Sequence, residues 1–325
     1  MLSVEKYQKA FTSYLKDFII PKRPAGLYQP IKYILKIGGK RLRPVLTLMT
    51  TEVFEGTFET ALDAALAIEI FHNFTLVHDD IMDDAPLRRG KKTVHEKWNI
   101  NTGILSGDAM LILAYQLFEN YEGDTFKALT KLFSKTALEV CEGQQYDIDF
   151  QNRNDVTIPE YLEMIAYKTA VLVGTAMQMG AIVAKASLED QHNVYEFGKN
   201  LGIAFQLQDD YLDVFGSAES FGKQVGGDII ENKKTYMLLK ALELSKAKEK
   251  ATLLSLYDDN ATSANEVKIN KTKQIFEQSG AALATKQIIE NYTQKAFIIL
   301  ESMSISSDKK ALLKEFGTAL MNRTV

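Results

Sequence analysis

Two clusters of aspartates carry the strongest chemical signal in the chain: Asp79, Asp80 and Asp83 in DDIMD, and Asp209, Asp210 and Asp213 in DDYLD. In each cluster the third residue follows the first by four. At 100° per residue, that spacing sets Asp79 over Asp83 and Asp209 over Asp213 on one helix face. Like charges so placed repel, and the flanking runs FTLVHDDIMDD and IAFQLQDDYLD are apolar enough for desolvation to add to the cost. One such cluster is explained by a solvated acidic helix end. Two matched clusters in apolar helices call for a cation. Neither has the glycine-containing loop of an EF-hand. Magnesium fits better, because it takes oxygen ligands, keeps several waters, and shares one or two carboxylates with a polyphosphate.

The basic residues supply the matching half. Gly38–Pro44 (GGKRLRP) puts Lys40, Arg41 and Arg43 at the start of a helix with Pro44 in its first turn. Cations there oppose the helix dipole unless an anion binds between them and the free N–H groups. Arg88 and Arg89 follow the first acidic cluster directly, where a pair of guanidinium groups can clamp phosphate oxygens. Lys168, Lys223 and Lys233 add cations around the later helices. His72 and His78 flank the first cluster without the spacing of a zinc site. Neither a nucleophile elbow nor a P-loop occurs. Cys141 has no activating neighbour in sequence and reads as structural.

These groups need long helices to position them. The 325 residues include six prolines, at 21, 24, 30, 44, 86 and 159, and none later, which favours helices over strands and hairpins. Apolar residues recur at helical spacing: 62–77 reads as a helix apolar nearly all round and therefore buried, another follows Pro159 through Leu172, and a third spans 197–214. Loops are expected at 21–30, 85–92, 216–234 and 258–265. No linker separates domains, so one all-helical domain over 1–325 is expected.

Composition sets outer limits. Hydrophobic residues make up 46% and the net charge is −4, typical of a soluble globular chain and unlike a nucleic-acid binder. The single cysteine forms no internal bridge. The N-terminus mixes charges among its apolar residues, unlike a signal peptide. The run 170–184 is short for a bilayer and reads as a buried core helix rather than a transmembrane segment. A cytoplasmic protein is expected.

Taken together, GGKRLRP, LVHDDIMDDAPLRRG, YKTA, FQLQDDYLD and GGDIIENKKT resemble, in order and spacing, the motifs of the trans-polyprenyl diphosphate synthases, over residues 30–240. The resemblance implies an isoprenoid-synthase fold, an all-α bundle of about ten core helices around a deep apolar cavity. It implies a homodimer and the condensation of isopentenyl diphosphate with an allylic diphosphate (dimethylallyl, geranyl or farnesyl). By motif position, Asp79 and Asp83, with Asp80 near them, and Asp209, with Asp213 at a longer reach, would hold Mg2+ on the allylic diphosphate, and Asp210 of the same motif is counted with the catalytic residues. Arg88, Lys168, Thr169, Gln206, Lys223 and Lys233 would surround that substrate. Lys40, Arg43, His72 and Arg89 would hold isopentenyl diphosphate, and Arg323 is a candidate for a further basic contact. Metals and cations would stabilise the departing diphosphate, the double bond would attack the allylic cation held alongside, and the diphosphate would take the proton.

Product length turns on the helix below the first cluster. Thr75 lies one turn under Asp79, Phe74 about 7.5 Å down the axis and Phe71 about 12 Å down. In the family an aromatic residue five positions before the cluster floors the cavity, and Phe74 is that residue. With no insertion inside DDIMD and a small Thr75, the twenty-carbon product is expected, with the fifteen-carbon product next. A class I terpene cyclase shares the first motif, but usually replaces the second with an Asn/Ser/Glu triad. A head-to-head squalene or phytoene synthase lacks GGKRLRP and LRRG at these positions. A non-catalytic helical partner subunit would not need intact metal and phosphate motifs.

Overall fold

The computed structural model describes residues 3–19, 22–216, 225–258 and 264–322, and these are almost entirely helical. Lys223 and Arg323 lie outside the described residues, as do 217–224 of the expected loop after Gly216. The chain divides into two compact units, Met1–Ser134 with Thr175–His192, and Lys135–Gly174 with Asn193–Val325.

The first unit contains α1 (Val4–Phe18), α2 (Ala25–Ile37), α3 (Leu42–Val53), α4 (Leu62–Met82), a hairpin of β1 (Leu87–Arg88) and β2 (Lys91–Lys92), α5 (Val94–Lys97) and α6 (Ile100–Gln116). Helix α4 is its core. Ala64 to Phe71 are all buried, as the apolar sequence requires, and α4 packs on α3 and α6. It ends with Asp83 as its C-cap residue, so the first acidic cluster sits on its last turn. The stretch Phe58–Met82 is long and apolar enough to cross a membrane, but 67% of its apolar window is buried inside the protein, which is how a core helix reads.

Helix α7 (Gly123–Gln151) begins in the first unit and ends in the second, which holds α8 (Ile158–Ile165); α9 (Val171–Val183) belongs to the first unit from Thr175 on, and α10 (Leu188–Phe215) to the second from Asn193 on, together with α11 (Gly227–Ile230), α12 (Tyr236–Leu244), α13 (Ala247–Leu256), α14 (Asn265–Gln278), α15 (Ala281–Ser302) and α16 (Ser307–Met321). Thr157 and Glu160 form a capping box that starts α8, with Pro159 in its first turn. Between α8 and α9, Ala166–Ala170 winds as a π-turn, which carries Lys168 and Thr169. Such turns are frequent at functional sites. The run 170–184 is the buried helix expected of it: Val171, Ala176, Met177, Met179 and Ala181 are all at or below 2% exposure.

Four expectations need correction, and the first is the loop at 216–234, in which Gly227–Ile230 form a short helix. The segment 21–30 is not all loop, because α2 starts at Ala25 and contains Pro30. Pro24 serves as the N-cap residue, and the carbonyl that Pro30 leaves without an N–H belongs to the exposed Gly26, open to water. The segment 85–92 contains a hairpin whose turn residues Arg89 and Gly90 have φ of 52° and 72°, the left-handed pair of a type I′ turn. Cys141 is exposed rather than packed in the core; partial burial and then the Glu142 charge push its thiol pKa up, so it is not an activated thiol.

Helix α3 is anchored by a buried ion pair. Arg41, its N-cap residue, pairs through Nη1 with Glu69 of α4, and the two side chains are 8% and 5% exposed. Asn73 donates to the same carboxylate at 3.0 Å. Removing one partner strands the other charge out of water. Glu69→Ala is expected to lower the unfolding free energy by about 3–5 kcal/mol in urea, and Arg41→Met in the same background to recover part of it. A Glu69→Ala protein as stable as the parent would refute the pairing.

Candidate active site

The first unit gathers the basic motifs. Arg88 lies on Asp80, with Nε donating to Oδ1 and Oδ2 at 2.8 and 2.9 Å and Nη2 at 2.6 Å from Oδ1. Asp80 is 1% exposed, so the middle aspartate of DDIMD is the anchor of Arg88. Arg89, at the hairpin turn, donates through Nη1 to the Gly38 carbonyl. The approach is so close that a Cβ on Gly39, whose φ is +141°, would stand 2.6 Å from that nitrogen. The second glycine of GGKRLRP is therefore required twice, for conformation and for space.

Around His72 the field is strongly positive. Its pKa is held well down by removal from water, then by the charges of Arg43, Arg89, Arg88 and Arg41. Burial, with Arg89 adding repulsion and Glu69 opposing it, brings even Arg43 down to about 10. The Arg43 Nε is buried with no hydrogen-bond partner. Four guanidinium groups act on one imidazole, and Glu69 neutralises Arg41. This arrangement asks for an anion. Lys40 is exposed, with its carbonyl held by Gln8 at 3.1 Å. Asp83 is exposed and Asp79 half-buried at the end of α4.

The second unit encloses a cavity of about 270 Å³, lined among others by Lys168, Thr169, Gln206, Asp209, Asp210 and Lys233. Hydrogen bonds tie these groups into a chain. Lys168 Nζ is 2.6 Å from Asp147 Oδ2, Thr169 Oγ1 donates to Gln206 Oε1 at 3.2 Å, and Gln206 Nε2 donates to Asp210 Oδ1 at 2.8 Å. The Tyr161 hydroxyl donates to the other oxygen of Asp210. Lys233 lies 3.3 Å from Asp228 and 3.0 Å from Glu231. The Asp228 backbone N–H donates to Asp213 at 3.1 Å, so Asp213 is turned toward the 227–230 helix. Gly143 is essential to this wall, because a Cβ there would stand 2.2 Å from the Lys168 backbone nitrogen of the π-turn.

The carboxylates outnumber what the lysines neutralise. Burial, then the charge of Asp228, pushes Asp210 up to about 7 and Asp213 up to about 6. Burial alone would lower the pKa of Lys233, but Asp228 and Glu231 more than reverse it. Burial and mutual repulsion therefore hold both carboxyls above their ordinary range, where a nearby positive charge would favour the ionised form. Among the described residues no three Asp, Glu, His or Cys groups converge as a ready-made metal cage.

Asp147, Tyr161, Asp228 and Lys234 also line the cavity and were not singled out by sequence reasoning. Asp228 was legible within GGDIIENKKT, where it stands five residues before Lys233. Asp147 and Tyr161 carried no signal, since their partners Lys168 and Asp210 are 21 and 49 residues away.

Residues 24–275 match the family model described as polyprenyl synthetase. A short chain isoprenyl diphosphate synthase of Methanothermobacter thermautotrophicus is 35% identical over 310 residues, 95% of this chain and 94% of that protein. A solved geranylgeranyl pyrophosphate synthase is 53% identical, superimposes with a TM-score of 0.96 and covers 99% of both chains. The polyprenyl synthase of Caulobacter crescentus, crystallised with calcium and isoprenyl diphosphate, is 27% identical with a TM-score of 0.87 over 99% of this chain and 98% of that one.

Proposed function

The chain belongs to the polyprenyl synthetase family, and we propose that it condenses isopentenyl diphosphate with an allylic diphosphate, with geranylgeranyl diphosphate as its main product. It is a short-chain trans-prenyltransferase with the all-α fold of that family. The observation that carries the substrate assignment is the cavity of the second unit, where Lys168, Thr169, Gln206 and Lys233 stand among aspartates whose charges exceed theirs. A fully anionic ligand would be repelled there, and a fully cationic one would meet the lysines. A diphosphate carried on divalent cations suits both.

We assign Asp79 and Asp83 in the first unit, and Asp209 in the second, to Mg2+. Bound magnesium would supply Lewis-acid stabilisation of the diphosphate as the allylic C–O bond ionises. Lys168, Lys233 and Arg88 add fixed positive charge to that leaving group, and Lys223 is assigned with them from its motif. Thr169 and Gln206 orient it by hydrogen bonds. Asp210 is held in place by Tyr161 and Gln206 and keeps Gln206 oriented in turn. Arg43, Arg89 and Lys40 take the diphosphate of isopentenyl diphosphate, with His72 beside them. Burial and the surrounding guanidinium charges lower its pKa, which favours the neutral ring and a hydrogen-bonding role. Asp80 acts through Arg88, which it orients.

A homodimer is part of the same reading. Ile100, Ile104, Leu105 and Ile112 of α6 are 55, 41, 60 and 59% exposed, an apolar face that a second copy would cover. A cytoplasmic location is proposed with it, and the single free thiol of Cys141 is compatible with a reducing compartment. The decisive experiment supplies purified protein with Mg2+, isopentenyl diphosphate and each of the dimethylallyl, geranyl and farnesyl primers. Dephosphorylated products sized by chromatography are expected to be mainly the twenty-carbon alcohol, with turnover lost on chelation. Folded protein that elongates none of the three primers would sink the proposal.

A further inference from the structure

Between Phe18 and Thr51 the chain carries seven Lys and Arg and no Asp or Glu. Residues 87–97 add five more cations against the single carboxylate of Glu96, in a chain whose net charge is −4. The first unit brings the two segments together. Tyr33 of α2 donates its hydroxyl to the Lys92 carbonyl at 2.7 Å. The Lys97 ammonium stands 3.8 Å from the centre of the Tyr33 ring and 5.0 Å from that of Trp98. The two rings meet edge to face at 5.3 Å. The second half of α2, the hairpin and the end of α5 thus form one continuous surface.

Lys36, Lys91, Lys92 and Lys97 are exposed, and among the described residues none of the four has a carboxylate within ion-pair distance. Leu87, 59% exposed, is the cross-strand partner of Lys92. The carboxylates nearest along the chain are Asp83 and Asp84 before the hairpin and Glu96 on α5. Asp83 is assigned to magnesium above. Lys40, Arg88 and Arg89 of the same segments have substrate roles, but these four lysines do not. Steering of a soluble anion would account for the charge alone. It would not account for an exposed leucine and a Tyr–Trp pair set among the lysines, a mixture suited to the boundary between headgroups and acyl chains.

We infer that this face docks the protein reversibly on an anionic bilayer, with the lysines on lipid phosphates and Leu87 and Trp98 at the acyl boundary. The surface is read from charge and exposure. Its use, delivering a twenty-carbon chain to the phase that dissolves it, rests on the function proposed above.

The test is flotation of the full chain with vesicles of phosphatidylcholine alone and with about 30% phosphatidylglycerol, at low and high salt. The protein is expected to float with the anionic vesicles, to be released as salt rises, and to stay behind with the neutral ones. Lys91→Ala/Lys92→Ala/Lys97→Ala is expected to weaken partitioning about fivefold per lysine, on the order of a hundredfold in all, with turnover in solution unchanged. Because Lys97 packs over Tyr33, Lys91→Glu/Lys92→Glu in the exposed hairpin provides a second variant that leaves that contact intact. Wild-type protein that does not float with anionic vesicles, equal flotation on neutral ones, or a triple variant that floats like the parent would overturn the inference. So would retention on single-stranded RNA without flotation. Flotation by a protein that elongates no primer would leave the docking face standing and remove the proposed activity.

Discussion

Asp79→Ala is expected to lose turnover by a factor of at least about 10²–10³, the cost of removing one stabilising group from a preorganised site, while melting no lower than the parent. The two halves of that result have separate causes. Asp79 stands on the last turn of α4, one turn before the C-cap residue Asp83. A negative charge there faces the negative end of the helix dipole and repels a second carboxylate four residues on. Removing it relieves both, a gain of about 0.3–1 kcal/mol. The group is half-buried, so its truncation opens no large void. The measurement pairs initial rates at saturating Mg2+ with thermal melts. Undiminished turnover would contradict the metal assignment, and a sharp fall in melting temperature would make Asp79 a structural residue.

Asp80→Asn separates the two aspartates by mechanism. Asp80 is buried under Arg88 and holds it by two oxygens, so its loss frees a guanidinium rather than a metal. The expected signature is a weaker apparent affinity for the allylic diphosphate with a smaller change in Mg2+ dependence than in Asp79→Ala. The DDIMD motif alone could not divide these roles, because position along a helix says which face a residue occupies and not which side chain folds back to meet it.

The same boundary between local and non-local information explains what else was legible. The buried helix at 62–82, the proline-started helix at 158 and the long helix through DDYLD follow from apolar spacing and caps, which are properties of adjacent residues. The hairpin after the first cluster was hidden because its turn is Arg89-Gly90, without the Asn or Asp that announces a type I′ turn. Packing of Arg89 against Gly38 and Gly39 holds a conformation that its own side chain does not favour. The π-turn under Lys168 was equally silent, since YKTA continues a helical pattern and the extra residue is accommodated by Gly143, more than twenty positions away. Site residues found through motifs were those whose chemistry repeats in sequence. Asp147 and Tyr161 are defined by their partners, and those partners come from other helices.

Phe74→Ala is expected to move the main product from twenty carbons to twenty-five or more. The neighbours of Phe74 single it out from the other aromatic on the helix. Phe71 is fully buried, with its ring 5.1 Å from Phe133, which in turn stands 5.1 Å from Phe118 and 4.8 Å from Tyr115. That residue is locked in an aromatic core, where truncation to Ala costs about 3–5 kcal/mol. Phe74 is at the margin of this cluster, 8% exposed, 5.5 Å from Phe71 and 4.7 Å from His78. Thr75 turns its hydroxyl back to the His72 carbonyl at 2.8 Å, so a small, internally satisfied group lies between Phe74 and the acidic turn. A ring about 7.5 Å below Asp79 along the helix axis can stop a growing chain that starts at the diphosphate. If it does, Phe74→Ala removes a wall that faces substrate on one side, and the protein loses less stability than a core truncation while its product lengthens. If Phe74 is core packing, the opposite pair appears: a loss of about 3–5 kcal/mol and an unchanged product. Urea unfolding and chromatography of the dephosphorylated alcohols, run on the same preparation, distinguish the two, and an unchanged product distribution would end the assignment of Phe74 as the floor.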